Sequence, residues 1–229
     1  QGVPKMVLAS TFSVYDYAAL PIGATLDEDS PVESTAQRRD DYAKTKLVQE
    51  RLVRDAETQG RITAVVLRPG AVYGPDKTWN GGLAGTIGSV GVAVAPGAAQ
   101  KLVHVDSCAD AFVLAAETDA ANGQILNLVD DDLPTQRSYA AALRAQGHPI
   151  PQALPVPYRV AEAVTSAIGF ANRVLFGGRA KLPGICVTER MAAQFKPLRY
   201  DNRRAKTTLG WSPHAGVHAA IPTPLPAAA

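Results

Sequence analysis

Short apolar blocks alternate along the chain with longer stretches whose apolar positions recur at helical spacing. Residues 5–10 (KMVLAS) and 62–67 (ITAVVL) are near-continuous apolar runs. Such runs are the pattern of strands buried on both faces of a parallel sheet. Between them, residues 41–59 place Leu47, Val48, Leu52, Val53 and Ala56 on an apolar face, with Asp40 or Asp41 to cap the start and Gly60 to stop the end. Two buried strands joined by one helix predict a right-handed βαβ unit and hence a parallel sheet. Residues 16–40 read as loop, broken by Asp27-Glu28-Asp29-Ser30-Pro31. Further on, strands are expected at 102–106 and 124–129, and helices at 107–117, from a Thr135 cap to Gly147, at 158–176 and at 202–209. A short strand is expected near 195–200. Four prolines within 149–157 read as a linker, residues 81–95 hold five glycines and read as a loop or short buried helix, and 221–229 read as a flexible tail. The class is α/β.

Composition narrows the partners more than the fold. At 229 residues the chain is one large domain or two small ones, long enough to bury a core. Its 23 basic and 21 acidic residues give a net charge of +2, spread along the chain. No basic stripe interleaved with aromatics is present, which argues against nucleic acid as a partner. Cys108 and Cys186 form neither a disulfide framework nor a metal-ligand spacing, so a reduced, cytoplasmic setting is expected, with no metal. No apolar run approaches the roughly 18 residues of a spanning helix. The chain opens Gln1-Gly2-Val3-Pro4-Lys5, without an initiator methionine, and enters a strand almost at once, as the middle of a longer protein would.

The chemistry is concentrated in Asp41-Tyr42-Ala43-Lys44-Thr45-Lys46 and in the Ser10-Thr11 step. Tyr42 and Lys46 are four apart at the head of a helix and share one face. An ammonium beside a phenol favours the phenolate and lowers its pKa from about 10, which makes a tyrosine usable as an acid or base. A hydroxyl at Thr11 could hold a substrate oxygen near that phenol. Taken alone, the pair fits a solvated helix face as well as it fits catalysis. A second match, Tyr73 with Lys77, has Gly74 and Pro75 after the tyrosine, so no regular helix brings those two together. His104 and Asp106 resemble a dyad on paper but would point to opposite sides of a strand, and Asp106 reads better as a helix N-cap. Gly82-x-x-Gly85-x-x-Gly88 has the spacing of a dinucleotide fingerprint but follows no buried strand.

Five segments in order resemble the extended short-chain dehydrogenase/reductase family, also called the NAD-dependent epimerase/dehydratase family. They are Val7 through Tyr15, Tyr42 with Lys46, Leu67-Arg68-Pro69-Gly70-Ala71-Val72-Tyr73-Gly74-Pro75, Val103-His104-Val105-Asp106 with Ala109-Asp110-Ala111, and Tyr200-Asp201-Asn202-Arg203-Arg204-Ala205 with Leu209-Gly210-Trp211. The resemblance implies that Tyr42 moves the proton at the substrate oxygen while hydride passes to or from the nicotinamide of NAD or NADP. It implies that Lys46 lowers the tyrosine pKa and binds the nicotinamide ribose, that Thr11 orients the substrate oxygen, and that Pro69 and Gly70 line the nicotinamide pocket. Residues 81–92 would then lie as a mobile loop or helix over the substrate.

The same resemblance implies the C-terminal part of a doubly wound, Rossmann-type parallel sheet plus a small mixed substrate-binding subdomain. Residues 1–72 and 101–130 would be the remaining half of the dinucleotide-binding domain, and 73–100 and 131–220 the substrate-binding subdomain. The family's glycine-rich first half, on the order of 100 residues, does not precede Thr11. The sheet would therefore show an apolar edge, and the fragment alone is expected to be inactive and to bind dinucleotide poorly. Ala71 stands where sugar-nucleotide enzymes carry asparagine, and Gln100 or Lys101 where they carry a diphosphate-binding arginine. The small-molecule substrate is thus expected to be an apolar alcohol or ketone rather than a UDP-sugar. A homodimer is compatible with the family. An NAD(P)-dependent oxidoreductase is the leading reading, with a sugar-nucleotide epimerase/dehydratase and a non-catalytic truncated or dinucleotide-sensing module as alternatives.

Overall fold

The computed structural model describes residues 5–34, 40–75, 77, 85–87 and 90–214. The described chain opens with β1 (Lys5–Ala9), makes a single 3-10 turn at Phe12–Val14, and passes through β2 (Thr25–Leu26) into α1 (Asp41–Thr58) and β3 (Thr63–Pro69). Then come β4 (Ala71–Tyr73), β5 (Gly85–Ile87), β6 (Val90–Val94), β7 (Leu102–His104), α2 (Val105–Glu117) and β8 (Ile125–Leu128). The remainder is α3 (Gln136–Ala145), β9 (Ala153–Val156), α4 (Tyr158–Phe176), α5 (Thr188–Phe195), β10 (Arg199–Tyr200) and α6 (Arg203–Leu209).

The main sheet runs β1-β3-β8, every pair parallel, with Ala9 opposite Leu67 and Pro69 opposite Leu128. Strand periodicity divides β3 between two cores. Ala64 and Val66 pack with Leu8 and with Val53 of α1. Val65 and Leu67 pack on the other side with Leu126 and Leu128, against Ala111 and Ala115 of α2 and Leu209 of α6. Helices therefore cover both faces, which is why β3 reads as an unbroken apolar run, and each fully buried Val or Leu there contributes about 1.5–3 kcal/mol. Among the described residues β1 has no strand on its far side.

A second sheet, β5-β6-β9, stands apart from the first, with β5 antiparallel and β9 parallel to β6. Two of its strands, β9 and β6, correct the sequence reading. The four-proline stretch is not only a linker, because residues 153–156 pair with β6, Pro155 standing opposite Ala93. Proline is tolerated because β9 is an edge of this sheet. The glycine-rich stretch is neither loop nor helix where it is described: Val90, Val92 and Val94 alternate along β6, and that period outweighs the intervening Gly91. Residues 81–84 and 88–89 lie outside the described residues, as does the tail at 221–229. Two smaller differences follow the same logic. Residues 188–195 are helical up to the start of the expected strand, and that strand shrinks to two residues pairing with β2.

Candidate functional site

In a parallel sheet flanked by helices, ligands lie beyond the carboxyl ends of the strands. The expected residues gather at that edge. Thr11 follows β1 by two residues, buried and extended, and its Oγ1 accepts a 3.1 Å hydrogen bond from the Ser13 N–H, capping the Phe12–Val14 turn. That bond uses a lone pair and leaves the hydroxyl proton to donate. α1 packs against the same turn. Asp40 caps α1 through a 2.7 Å bond from the Ala43 N–H, fixing the first turn that carries Tyr42. Lys46 reaches back from α1 to donate to the Ala9 carbonyl at 2.8 Å, and its Nζ lies 6.0 Å from the centre of the Tyr42 ring. Tyr42 itself is 55% exposed. The fold thus brings Lys46 to the end of β1 and Tyr42 beside Lys46. Thr11 and Tyr42 share no hydrogen bond.

Pro69 is the last residue of β3, and Gly70 is fixed by a close crossing of chains. A Cβ at Gly70 would stand 2.4 Å from the Lys101 carbonyl oxygen, while the Ala71 N–H donates to that same oxygen at 2.7 Å. Only glycine lets the backbone pass there. This requirement holds whether or not a ligand approaches.

Beneath the site runs a buried polar network that the sequence reading did not assign. The Arg68 guanidinium, 2% exposed, forms a bidentate pair with Glu50 of α1, Nε to Oε1 at 2.9 Å and Nη2 to Oε2 at 2.6 Å. Glu50 also accepts from the Ser10 hydroxyl, next to Thr11. The other face of Arg68 lies 4.7 Å from the Tyr15 ring centre, a cation–π contact. Tyr15 donates to Asn127 at 2.7 Å, and the Asn127 N–H donates to Glu28 at 2.8 Å. Burial pushes the Tyr15 phenol up to about 12, more than Arg68 pulls it down. The signal was present: an arginine inside the run AVVLRP must find a counter-ion, because a buried charge is tolerated only when paired.

A second buried cluster sits at the end of β8. Tyr73 donates to Asp130 at 2.8 Å, and the His104 N–H donates to the other carboxylate oxygen at 3.2 Å. Burial raises the Asp130 carboxyl above the ordinary range despite both bonds. His104 and Asp106 depart from the sequence expectation. The helix begins at Val105, so His104 is the N-cap: its Nδ1 accepts from the Asp106 N–H at 3.3 Å, and the Asp106 carboxylate lies 3.6 Å away. The two side chains meet because the backbone is already helical where a strand was expected to continue. Lys101, one of the two residues expected at a diphosphate-binding position, is turned inward. Its Nζ donates to the Ala193 carbonyl at 2.8 Å and lies 5.1 Å from the Tyr17 ring.

Comparison with known proteins adds the lineage. Pal from Bacillus thuringiensis matches with 22% identity and a TM-score of 0.61, over 94% of this chain and 59% of its own length. UDP-glucuronic acid 4-epimerase from Bacillus cereus, solved with UDP-glucuronic acid and NAD, matches with 19% identity and a TM-score of 0.61, over 94% of this chain and 58% of its own. A short-chain dehydrogenase/reductase superfamily protein from Agrobacterium tumefaciens with bound NAD gives 16% identity and a TM-score of 0.61, over 96% and 65%. The chain therefore spans about three fifths of the length of these solved structures, which at such identities speak for the fold. No curated protein sequence matches it. The family described as NAD dependent epimerase/dehydratase matches residues 1–128, more than half of the chain, through β1, α1, β3, α2 and β8. With that match over more than half of its length, and with a parallel sheet covered by helices on both faces, the chain belongs to the NAD dependent epimerase/dehydratase family.

Proposed function

We propose that this chain carries the proton-transfer machinery of an NAD(P)-dependent oxidoreductase that interconverts a secondary alcohol and a carbonyl. The observation that carries the reading is the Lys46 ammonium, tied to the end of β1 by Ala9 and set beside the exposed Tyr42 ring. One of its three N–H bonds is spent on Ala9, which leaves donors for a ribose hydroxyl. The nicotinamide, when bound, supplies the hydride acceptor or donor. Lys46 and Tyr42 would hold its ribose, and the backbone at Pro69 and Gly70 would flank its ring. The Tyr42 oxygen in its ionised form takes the alcohol proton during oxidation, and the phenol so formed returns it to the carbonyl oxygen during reduction, with the Lys46 ammonium beside it. Thr11, its hydroxyl proton free, donates to the substrate oxygen and holds it at the phenol.

An apolar alcohol or ketone suits the site better than a UDP-sugar, because the Lys101 charge is committed to Ala193 and two tyrosine rings rather than to an incoming diphosphate. The proposed division keeps the dinucleotide side in residues 1–72 and 101–130 and the substrate side in 73–100 and 131–220. The separate β5-β6-β9 sheet, with a core of Val94, Tyr158, Met191 and Phe195, supports it.

The test is activity in the full gene product. Tyr42→Phe is expected to lower turnover about 10²–10⁴-fold with the fold intact, and Lys46→Met to lower it similarly. Apolar secondary alcohols should reduce NAD or NADP stoichiometrically, followed by nicotinamide absorbance. Turnover without net cofactor reduction would instead support a sugar-nucleotide epimerase or dehydratase. Full biological activity with Tyr42→Phe would leave only a non-catalytic role.

A further inference from the structure

α4 carries an apolar face turned away from the protein. At about 100° per residue, Phe170, Val174, Val160, Val164 and Leu175 fall within one arc of about 140°. All five are exposed, Leu175 by 71% and Phe170 and Val174 by 63% each. Only the exposed alanines Ala163, Ala167 and Ala171 lie between them, so the arc contains no polar side chain. The opposite side of the helix is the one that packs: Tyr158 and Thr165 are buried, and Tyr158 joins Met191 and Phe195 of α5. This inverts the usual surface helix, whose apolar stripe faces the core.

The exposed charges around the face are of one sign. Arg159 borders the arc, and Arg179 and Lys181 follow the helix, all exposed; Arg173 lies about 60° beyond the arc, in a groove it lines with the half-buried Glu189 of α5. Glu162, the lone acid between residues 158 and 183, is half-buried on the packed side and accepts a hydrogen bond from Tyr158 at 3.3 Å. No helix among the described residues is long and apolar enough to cross a membrane. A helix with a wide apolar face and a basic edge can instead lie in the lipid–water interface.

We propose that α4 docks this protein peripherally on an anionic lipid surface, with Phe170, Val174 and Leu175 entering the acyl boundary and Arg159, Arg179 and Lys181 among the headgroups. Charge complementarity selects lipid over a second copy of the chain. A two-fold contact through α4 would set the basic edge against itself with no exposed acid beside it. Each basic group near an anionic leaflet strengthens binding about fivefold.

The experiment is vesicle co-flotation of the protein with phosphatidylcholine alone and with phosphatidylcholine mixed with phosphatidylglycerol. The expected result is binding to the mixed vesicles at least about tenfold tighter than to the neutral ones, weakened by salt. The double variant Phe170→Asp/Leu175→Asp, whose native fold is checked by circular dichroism, should lose co-flotation. Arg159→Gln/Arg179→Gln, which leaves the apolar face intact, should reduce affinity for the mixed vesicles about thirtyfold. The proposal is overturned if the unmodified protein ignores both vesicle types. It is also overturned if both double variants float like the unmodified protein, or if sedimentation velocity shows a dimer that the aspartate variant converts to monomer.

Discussion

Arg68 and Glu50 set the chemistry beneath the candidate site. Each is nearly excluded from water, and their two short bonds neutralise charges that could not otherwise remain inside. Removing one partner is therefore far worse than removing both. Glu50→Ala should destabilise the protein by about 3–5 kcal/mol, because the Arg68 guanidinium is left buried and unneutralised. The paired replacement Glu50→Leu/Arg68→Met, apolar and of similar length, should regain most of that loss. Urea unfolding of the two variants decides the point. Equal losses would mean that the pair acts through packing and not through charge. Glu50 also accepts from Ser10, so the single variant loosens the residue next to Thr11. A small domain has only about 5–15 kcal/mol of stability to lose.

α1 shows how an element places a side chain. Tyr42 is the second helical residue, within the turn that Asp40 holds through the Ala43 N–H. Asp40→Ala should lower stability by about 1 kcal/mol, and Asp40→Asn, which can still accept, should restore most of it. Thermal unfolding measures the loss, and an unchanged midpoint for Asp40→Ala would mean the cap contributes nothing. This helix was legible because its signals are local: a capping aspartate, an apolar face and Gly60 at the end all lie within about twenty residues. β1, β3 and α4 were legible for the same reason. β6 and β9 were not, because glycines and prolines within them mimic loop chemistry, and what makes them strands is each other across some sixty residues of chain. The network suffers likewise. Ser10 with Glu50, Tyr15 with Asn127 and Glu28 with Asn127 are meetings set by topology, which no local window contains. Tyr42 and Lys46 could be paired in advance only because a helix turn separates them.

At the scale of the molecule, the strand-end clusters and the apolar packing beside them share one property: they are closed by buried phenols. Burial pushes the phenols of Tyr15 and Tyr139 up to about 12, and it pushes those of Tyr73, Tyr158 and Tyr200 above the usual tyrosine value, Tyr73 further still through its contact with the Asp130 carboxylate. The Cys108 thiol moves the same way, up to about 11, also by burial. In each case the folded state holds its proton at a pH where the unfolded chain has released it. Stability then falls as pH rises, because the unfolded state binds fewer protons. The contribution is fully present below the ordinary tyrosine pKa of 10.0 and is lost progressively through about 12 for Tyr15 and Tyr139. Several groups titrating in one direction make the loss steep. An alkaline titration should therefore show little phenolate absorbance from these tyrosines while the fold persists. Their ionisation should then appear in a single cooperative step together with the loss of far-ultraviolet circular dichroism. Gradual phenolate formation near pH 10 with the secondary structure intact would show that these hydroxyls are open to water, and that the strand-end clusters are not closed.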